Sequence, residues 1–164
     1  MRKFGAFSLV VVALAGLAGL ASAQAKAVPD LDRLKSLVGE WQGKGSDGKT
    51  ITVSYELTSG GSAVIETLQP ADEPRMVTIY HADNDKLMMT HYCSLNNQPR
   101  MRGVGDDRSL TFSFVDATNL SSPAAPHMHN LVLTFQDKDH LMHEWTMKAA
   151  GQDRTVVFRL KRKN

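Results

Sequence analysis

Leu87-Met88-Met89-Thr90-His91-Tyr92-Cys93-Ser94-Leu95-Asn96-Asn97-Gln98-Pro99-Arg100-Met101-Arg102-Gly103 reads as a strand, a tight polar turn and a returning strand. Side chains in a strand alternate between its two faces, which puts His91 and Cys93 on the side of Leu87, Met89 and Leu95. An imidazole and a thiol on an otherwise apolar face predict a lined cavity, or a small polar cluster inside a β-structure.

The same period of two runs through most of the chain. Ile51, Val53, Tyr55 and Leu57 oppose Thr52, Ser54 and Glu56, and Leu110, Phe112 and Phe114 oppose Thr111 and Ser113. Leu131, Leu133 and Phe135 continue the pattern, followed by Leu141, Trp145 and Met147, then Val156, Phe158 and Leu160. One apolar and one polar face per strand marks antiparallel sheet wetted on one side. Turn signals fall at 45–48, 59–61, 70–74, 83–85, 96–99, 105–107, 116–126, 137–139 and 150–151, nine breaks that divide the region into ten strands. Short connections favour pairing in sequence order, and closing such a meander removes its edges. The expectation is an all-β fold, a single antiparallel meander barrel of about ten strands. The one long connection, 116–126, is expected to span the barrel mouth or a corner. The acidic turns at 83–85 and 137–139 lack the distal glutamate of a calcium loop and read as hairpin turns.

Ahead of the strands, residues 30–37 show Leu31, Leu34 and Leu37 at helical spacing, with Asp30 as the expected N-cap and Gly39 as the stop. Earlier still, Arg2 and Lys3, an apolar core over 7–20 and Ala21-Ser22-Ala23 have the form of a secretory leader cleaved near Ala23. The apolar core is short for a membrane span and is broken by Gly16 and Gly19. Residues 24–29 then serve as a linker and 30–164 as the barrel domain. The expected location is secreted or periplasmic. The leader takes two of the 19 basic residues, leaving 17 against 17 acidic ones in the mature chain. A near-neutral chain whose only basic run is 159–163 argues against a nucleic-acid partner. Cys93 is the only cysteine, so no intrachain disulfide forms and stability rests on packing.

The run Leu34-x-x-Leu37-x-Gly39-x-Trp41-x-Gly43-x-Gly45, a short helix leading through Gly-x-Trp into a first strand, resembles the opening of calycin-type barrels. That superfamily includes the lipocalins, the fatty-acid-binding proteins and the haem-binding nitrobindins. The resemblance implies that Trp41 plugs the closed end of the barrel. The ten-strand count is more similar to the fatty-acid-binding and nitrobindin branches, and the 90–101 stretch to secreted bacterial members. Nitrobindin-type haem sites use a histidine on the closing segment. Here the last strand, 152–161, has none, and the nearest is His143, one strand earlier. Interior arginines hold the ligand carboxylate in fatty-acid-binding barrels, and the resemblance points to Arg100 for that role, whereas the residues alone also fit a surface arginine beside a turn.

Carrying the inward parity along the later strands turns His127, His129 and His143 into the same interior as His91 and Cys93. Neutral imidazoles and a thiolate would suit a transition metal or haem, with His91, His129 and His143 as candidate ligands. The alternative is histidines satisfied singly by neighbouring strands or buried water. His91 and Cys93 stand about 6.5–7 Å apart along one strand, too far for an activated nucleophile pair. Glu66 has apolar neighbours on both sides. Facing inward it would require a cation, which Arg75, Arg100 or Arg102 would supply. Tyr55 and Trp145 add aromatic lining, and the many methionines suit either core filler or an adaptable pocket wall.

Four functions stay open on the sequence. The first is a barrel binding a small apolar or amphipathic ligand. The second is a haem- or metal-binding barrel, and the third an enzyme with His91 or Glu66 as acid or base, for which no nucleophile–base pair or oxyanion motif speaks. The fourth is a packed module serving structure or interaction.

Overall fold

A computed structural model describes residues 28–163, so the leader at 1–23 and residues 24–27 of the linker lie outside the described residues. Helix α1 (Pro29–Lys35) precedes β1 (Gly39–Gly45), β2 (Thr50–Thr58), β3 (Ala63–Pro70), β4 (Met76–Asp83) and β5 (Lys86–Tyr92). The second half comprises β6 (Gln98–Gly105), β7 (Ser109–Thr118), β8 (His127–Phe135), β9 (His140–Ala149) and β10 (Gln152–Arg162). Every strand pairs antiparallel with its sequence neighbours, and β10 pairs with β1 to close a ten-stranded barrel. All nine predicted breaks are turns or loops between strands. No helix among the described residues is long and apolar enough to cross a membrane.

Antiparallel neighbours send alternate connections to opposite ends. Turns at 59–62, 84–85, 106–108 and 136–139 share one end with α1. Those at 46–49, 71–75, 93–97, 119–126 and 150–151 form the other. At the first end Leu31, Leu34 and Leu37 are buried against the barrel, each side chain contributing about 1.5–3 kcal/mol. Asp30 is not the helix cap. Pro29 occupies the first turn, where its missing N–H costs nothing, and Val28 precedes it without a side-chain cap. The Asp30 carboxylate instead accepts the Gly105 N–H at 3.1 Å, tying the helix to β6, and any side chain on Gly105 would overlap that carboxylate. Gly39 starts β1 at φ 125°, a backbone turn that suits glycine alone.

Trp41 closes this end. It is almost fully buried, and its indole Nε1 donates to the Leu37 carbonyl at 2.8 Å. The Arg162 guanidinium lies 4.2 Å over its ring and donates to the Val38 and Ser36 carbonyls at 2.8 and 3.0 Å. The C-terminal basic run is thus only partly a solvated face, because one of its arginines is a lid on the plug.

Two apolar residues depart from the parity expected of them. Leu57 is half exposed near the end of β2, although its cross-strand partner Val64 is buried. Leu95 lies in the 93–97 turn and is also exposed, since β5 stops at Tyr92 and alternation stops with it.

A cavity at the open end and a buried polar layer beneath it

The end opposite α1 opens into a cavity of ≈ 610 Å³. Its rim carries Asp47, Lys49, Glu73 and Arg154. Its wall includes Leu68, Met76, Met128, Met147, Val156 and Phe158, together with His91 and Trp145. The methionines come from β4, β8 and β9, as strand parity at that level dictates. Lys49 is held by Glu73 at 2.8 Å.

His91 and Trp145 are both nearly inaccessible, with ring centroids 4.7 Å apart. His91 Nδ1 shares a 2.9 Å hydrogen bond with the Thr78 hydroxyl, its cross-strand neighbour. His91 Nε2 and Trp145 Nε1 have no protein partner. Leaving a buried donor or acceptor unpaired costs about 1–3 kcal/mol, so both atoms call for an occupant. Burial pushes His91 down to about 4, so its ring is neutral near pH 7.

Deeper in the barrel lies a layer of four polar side chains. Glu66 faces inward and is fully buried, but no arginine reaches it. Tyr80 on β4 donates to Glu66 Oε2 at 2.8 Å, and Tyr55, directly opposite Glu66 on β2, also interacts with the carboxyl. The Tyr55 hydroxyl lies 2.9 Å from His143 Nε2, across the barrel. Burial raises the Glu66 carboxyl to about 7 against the opposing effect of the two phenols. Burial likewise lowers His143 to about 3 and lifts both tyrosines well above their ordinary range. Glu66 Oε1 and His143 Nδ1 lack protein partners. The expected compensating cation is replaced by hydrogen-bonding phenols and a carboxyl that holds its proton more tightly.

His129 does not join this interior. The β8–β9 register slips between Met128 and Asn130, pairing Met128 with Met147 and His127 with Lys148. The extra residue of this bulge reverses the parity beyond it. Met128 therefore lines the cavity, while His129 stacks on Phe114 and His127 packs tilted against it at the gap where β7 and β8 cease to pair. His127 Nδ1–H donates to the Ala125 carbonyl at 2.8 Å, leaving Nε2 to accept from His129 at 3.3 Å. The long connection packs beside this pair, with Leu120, Ser122 and Pro123 around it. Among the described residues, no three His, Cys, Asp or Glu side chains converge on a point that could hold a metal ion. His91, His129 and His143 thus do not form one centre.

Arg100 points out of the barrel and forms a fork to Asp116, with Nε to Oδ1 at 2.6 Å. The alternation of β6 decides this: Pro99 and Met101 are buried, so Arg100 between them is not. Cys93 is buried in the 93–97 turn, and burial pushes its thiol up, away from the thiolate a nucleophile needs. Parity arguments found Tyr55, His91, His143 and Trp145. Thr78 and Tyr80 went unnoticed, although Tyr80 sits at the inward parity of Met76 and Thr78 on β4.

These features define a closed ten-stranded antiparallel barrel with one plugged end and one hollow end. Two solved structures share that fold. Rv2717c from M. tuberculosis superposes with a TM-score of 0.55 at 19% identity, covering 85% of this chain and 100% of that one. A protein of unknown function from the DUF3598 family of Nostoc punctiforme PCC 73102 gives 0.54 at 12% identity, over 80% of this chain and 49% of its own length. At such identities the likeness extends to fold alone. No protein-family model matches the sequence, and no curated protein matches it.

Proposed function

We propose that the chain is an exported, calycin-like barrel that binds a small apolar or amphipathic molecule in its interior, without membrane span or nucleic-acid contact. The observation that carries this reading is the ≈ 610 Å³ cavity at the end away from the plug, walled by methionines and other apolar side chains with only two polar ones at depth. That volume falls within the range of small-molecule sites, and a mostly apolar wall with sparse polar anchors is their usual chemistry. It speaks against a packed module. The proposed leader supports delivery to the periplasm or beyond, where a small binding protein would meet such ligands.

Native mass spectrometry of protein from the extracytoplasmic fraction of its own host tests both parts. The expected spectrum shows a chain beginning near Gln24 with a non-covalent adduct of small-molecule mass, and Val156→Trp, which fills the cavity wall, lowers its occupancy. A bare chain that also fails to take up an apolar fluorescent dye would overturn the binding reading. A chain retaining residues 1–23 in the cytoplasmic fraction would overturn export.

A further inference from the structure

The reading of the interior as a ligand cavity leaves open which end of an amphipathic molecule goes in first. We propose that the ligand enters head-first, seating a neutral oxygen-bearing group, a carbonyl or hydroxyl, against Trp145 Nε1 and His91 Nε2, with its apolar body along Leu68, Met128, Met147 and Phe158. This rests on the proposed cavity function and narrows it to a chemical class.

Four observations carry the inference. Trp145 Nε1–H is a donor only, is buried and has no protein partner, so its occupant must offer a lone pair. An ammonium group has none, which excludes amines. The second unpaired atom, His91 Nε2, belongs to a ring whose centroid is 4.7 Å from that of Trp145, and both residues line the cavity. With His91 Nδ1 fixed on Thr78, the hydroxyl can donate or accept, so Nε2 adapts to a carbonyl or to a hydroxyl.

Charge excludes the carboxylate. No lysine or arginine lines the depth of the cavity. Lys49 and Arg154 stand at the rim, and Lys49 is already paired with Glu73. Arg100 is outside, forked on Asp116. Beneath the floor, Glu66 offers a further carboxyl, so a buried anion would meet no countercharge and one potential repulsion.

The test uses the full mature chain and four probes of one length, 2-octanone, 1-octanol, octane and octanoate, each displacing an apolar fluorescent dye. The ketone and the alcohol are expected to bind about tenfold tighter than octane or octanoate, the gain that satisfying a buried donor supplies. Trp145→Phe is expected to erase most of that preference, bringing 2-octanone and 1-octanol to within about twofold of octane measured on the same variant. A second measurement needs no variant: the infrared carbonyl stretch of bound 2-octanone should move to lower frequency than in alkane solvent, as a hydrogen-bonded carbonyl does. Octane binding as tightly as 2-octanone, with an unshifted carbonyl, would overturn the head-first assignment while the cavity stands, buried water then satisfying Trp145 and His91. Octanoate binding tightest would overturn it in favour of a head at the rim. Dye that never enters, or that no probe displaces, would overturn the cavity reading and this inference with it.

Discussion

The barrel has two ends and one buried tryptophan near each, and the two tryptophans are in opposite states. Trp41 donates to the Leu37 carbonyl and lies under the Arg162 guanidinium, which itself caps the carbonyls of Ser36 and Val38. Around it the Arg33 guanidinium donates to the Asp106 and Ser109 carbonyls and lies 4.5 Å over the Phe135 ring. Trp145 is just as buried, yet its indole N–H meets nothing from the protein. A closed end with its polar groups paired is built for stability. An open end that leaves a donor unpaired beside a cavity forgoes some stability, as sites made for an absent partner do.

The largest effect that would sharpen this contrast is at the plug. Trp41→Ala should cost about 3–5 kcal/mol in urea denaturation, because it empties a filled end, strands the Leu37 carbonyl and removes the ring beneath the Arg162 guanidinium. A cost no greater than that of a surface substitution would break the comparison.

Between the two ends, the Glu66 layer should show itself through pH. Burial raises this carboxyl to about 7 in the folded chain from an ordinary value of 4.5, so the folded state holds a proton that the unfolded state has released. Its contribution is complete below the unfolded value and fades as pH rises towards about 7, by about 3 kcal/mol in all. His91 and His143 act in the opposite sense. Their folded values of about 4 and about 3 lie below the ordinary 6.5, so their contribution is lost as pH falls beneath 6.5. Glu66→Gln should therefore gain stability on the parent chain between about pH 5 and about pH 8, read from urea midpoints at each pH. A difference that stays flat across that range would show that Glu66 is not held protonated.

The smallest expected effect is at the open end. Trp145→Phe should change stability by less than about 1 kcal/mol, since the lost ring contacts are offset by removal of an unsatisfied donor. Thermal unfolding of this variant beside Trp41→Phe gives the comparison directly, the same atoms being removed at each end. Equal losses at the two positions would mean that both ends are packed for stability alone.

The alternation in Leu87–Tyr92 was enough to place His91 inside, and the turn signals were enough to count ten strands, since both depend only on neighbours a few residues apart. Parity also carried Tyr55, His143 and Trp145 to the interior. It failed at His129, because one extra residue in a bulge reverses every face beyond it and leaves no mark in the hydrophobic pattern. At Arg100 the same alternation holds, since its place between buried Pro99 and Met101 fixes it outside.

Composition and periodicity alone thus determined an all-β chain of ten strands with a short leading helix and a mixed polar and apolar inner face. Only the closed barrel decided that Glu66 would meet Tyr80 and Tyr55 instead of an arginine, that Trp41 would be paired and Trp145 not, and that the hollow would lie away from the helix. The reason is geometric. Period and turn chemistry are set within a strand or a hairpin, whereas the partner of a buried polar atom comes from strands far apart in sequence, and its place is known only when β10 meets β1.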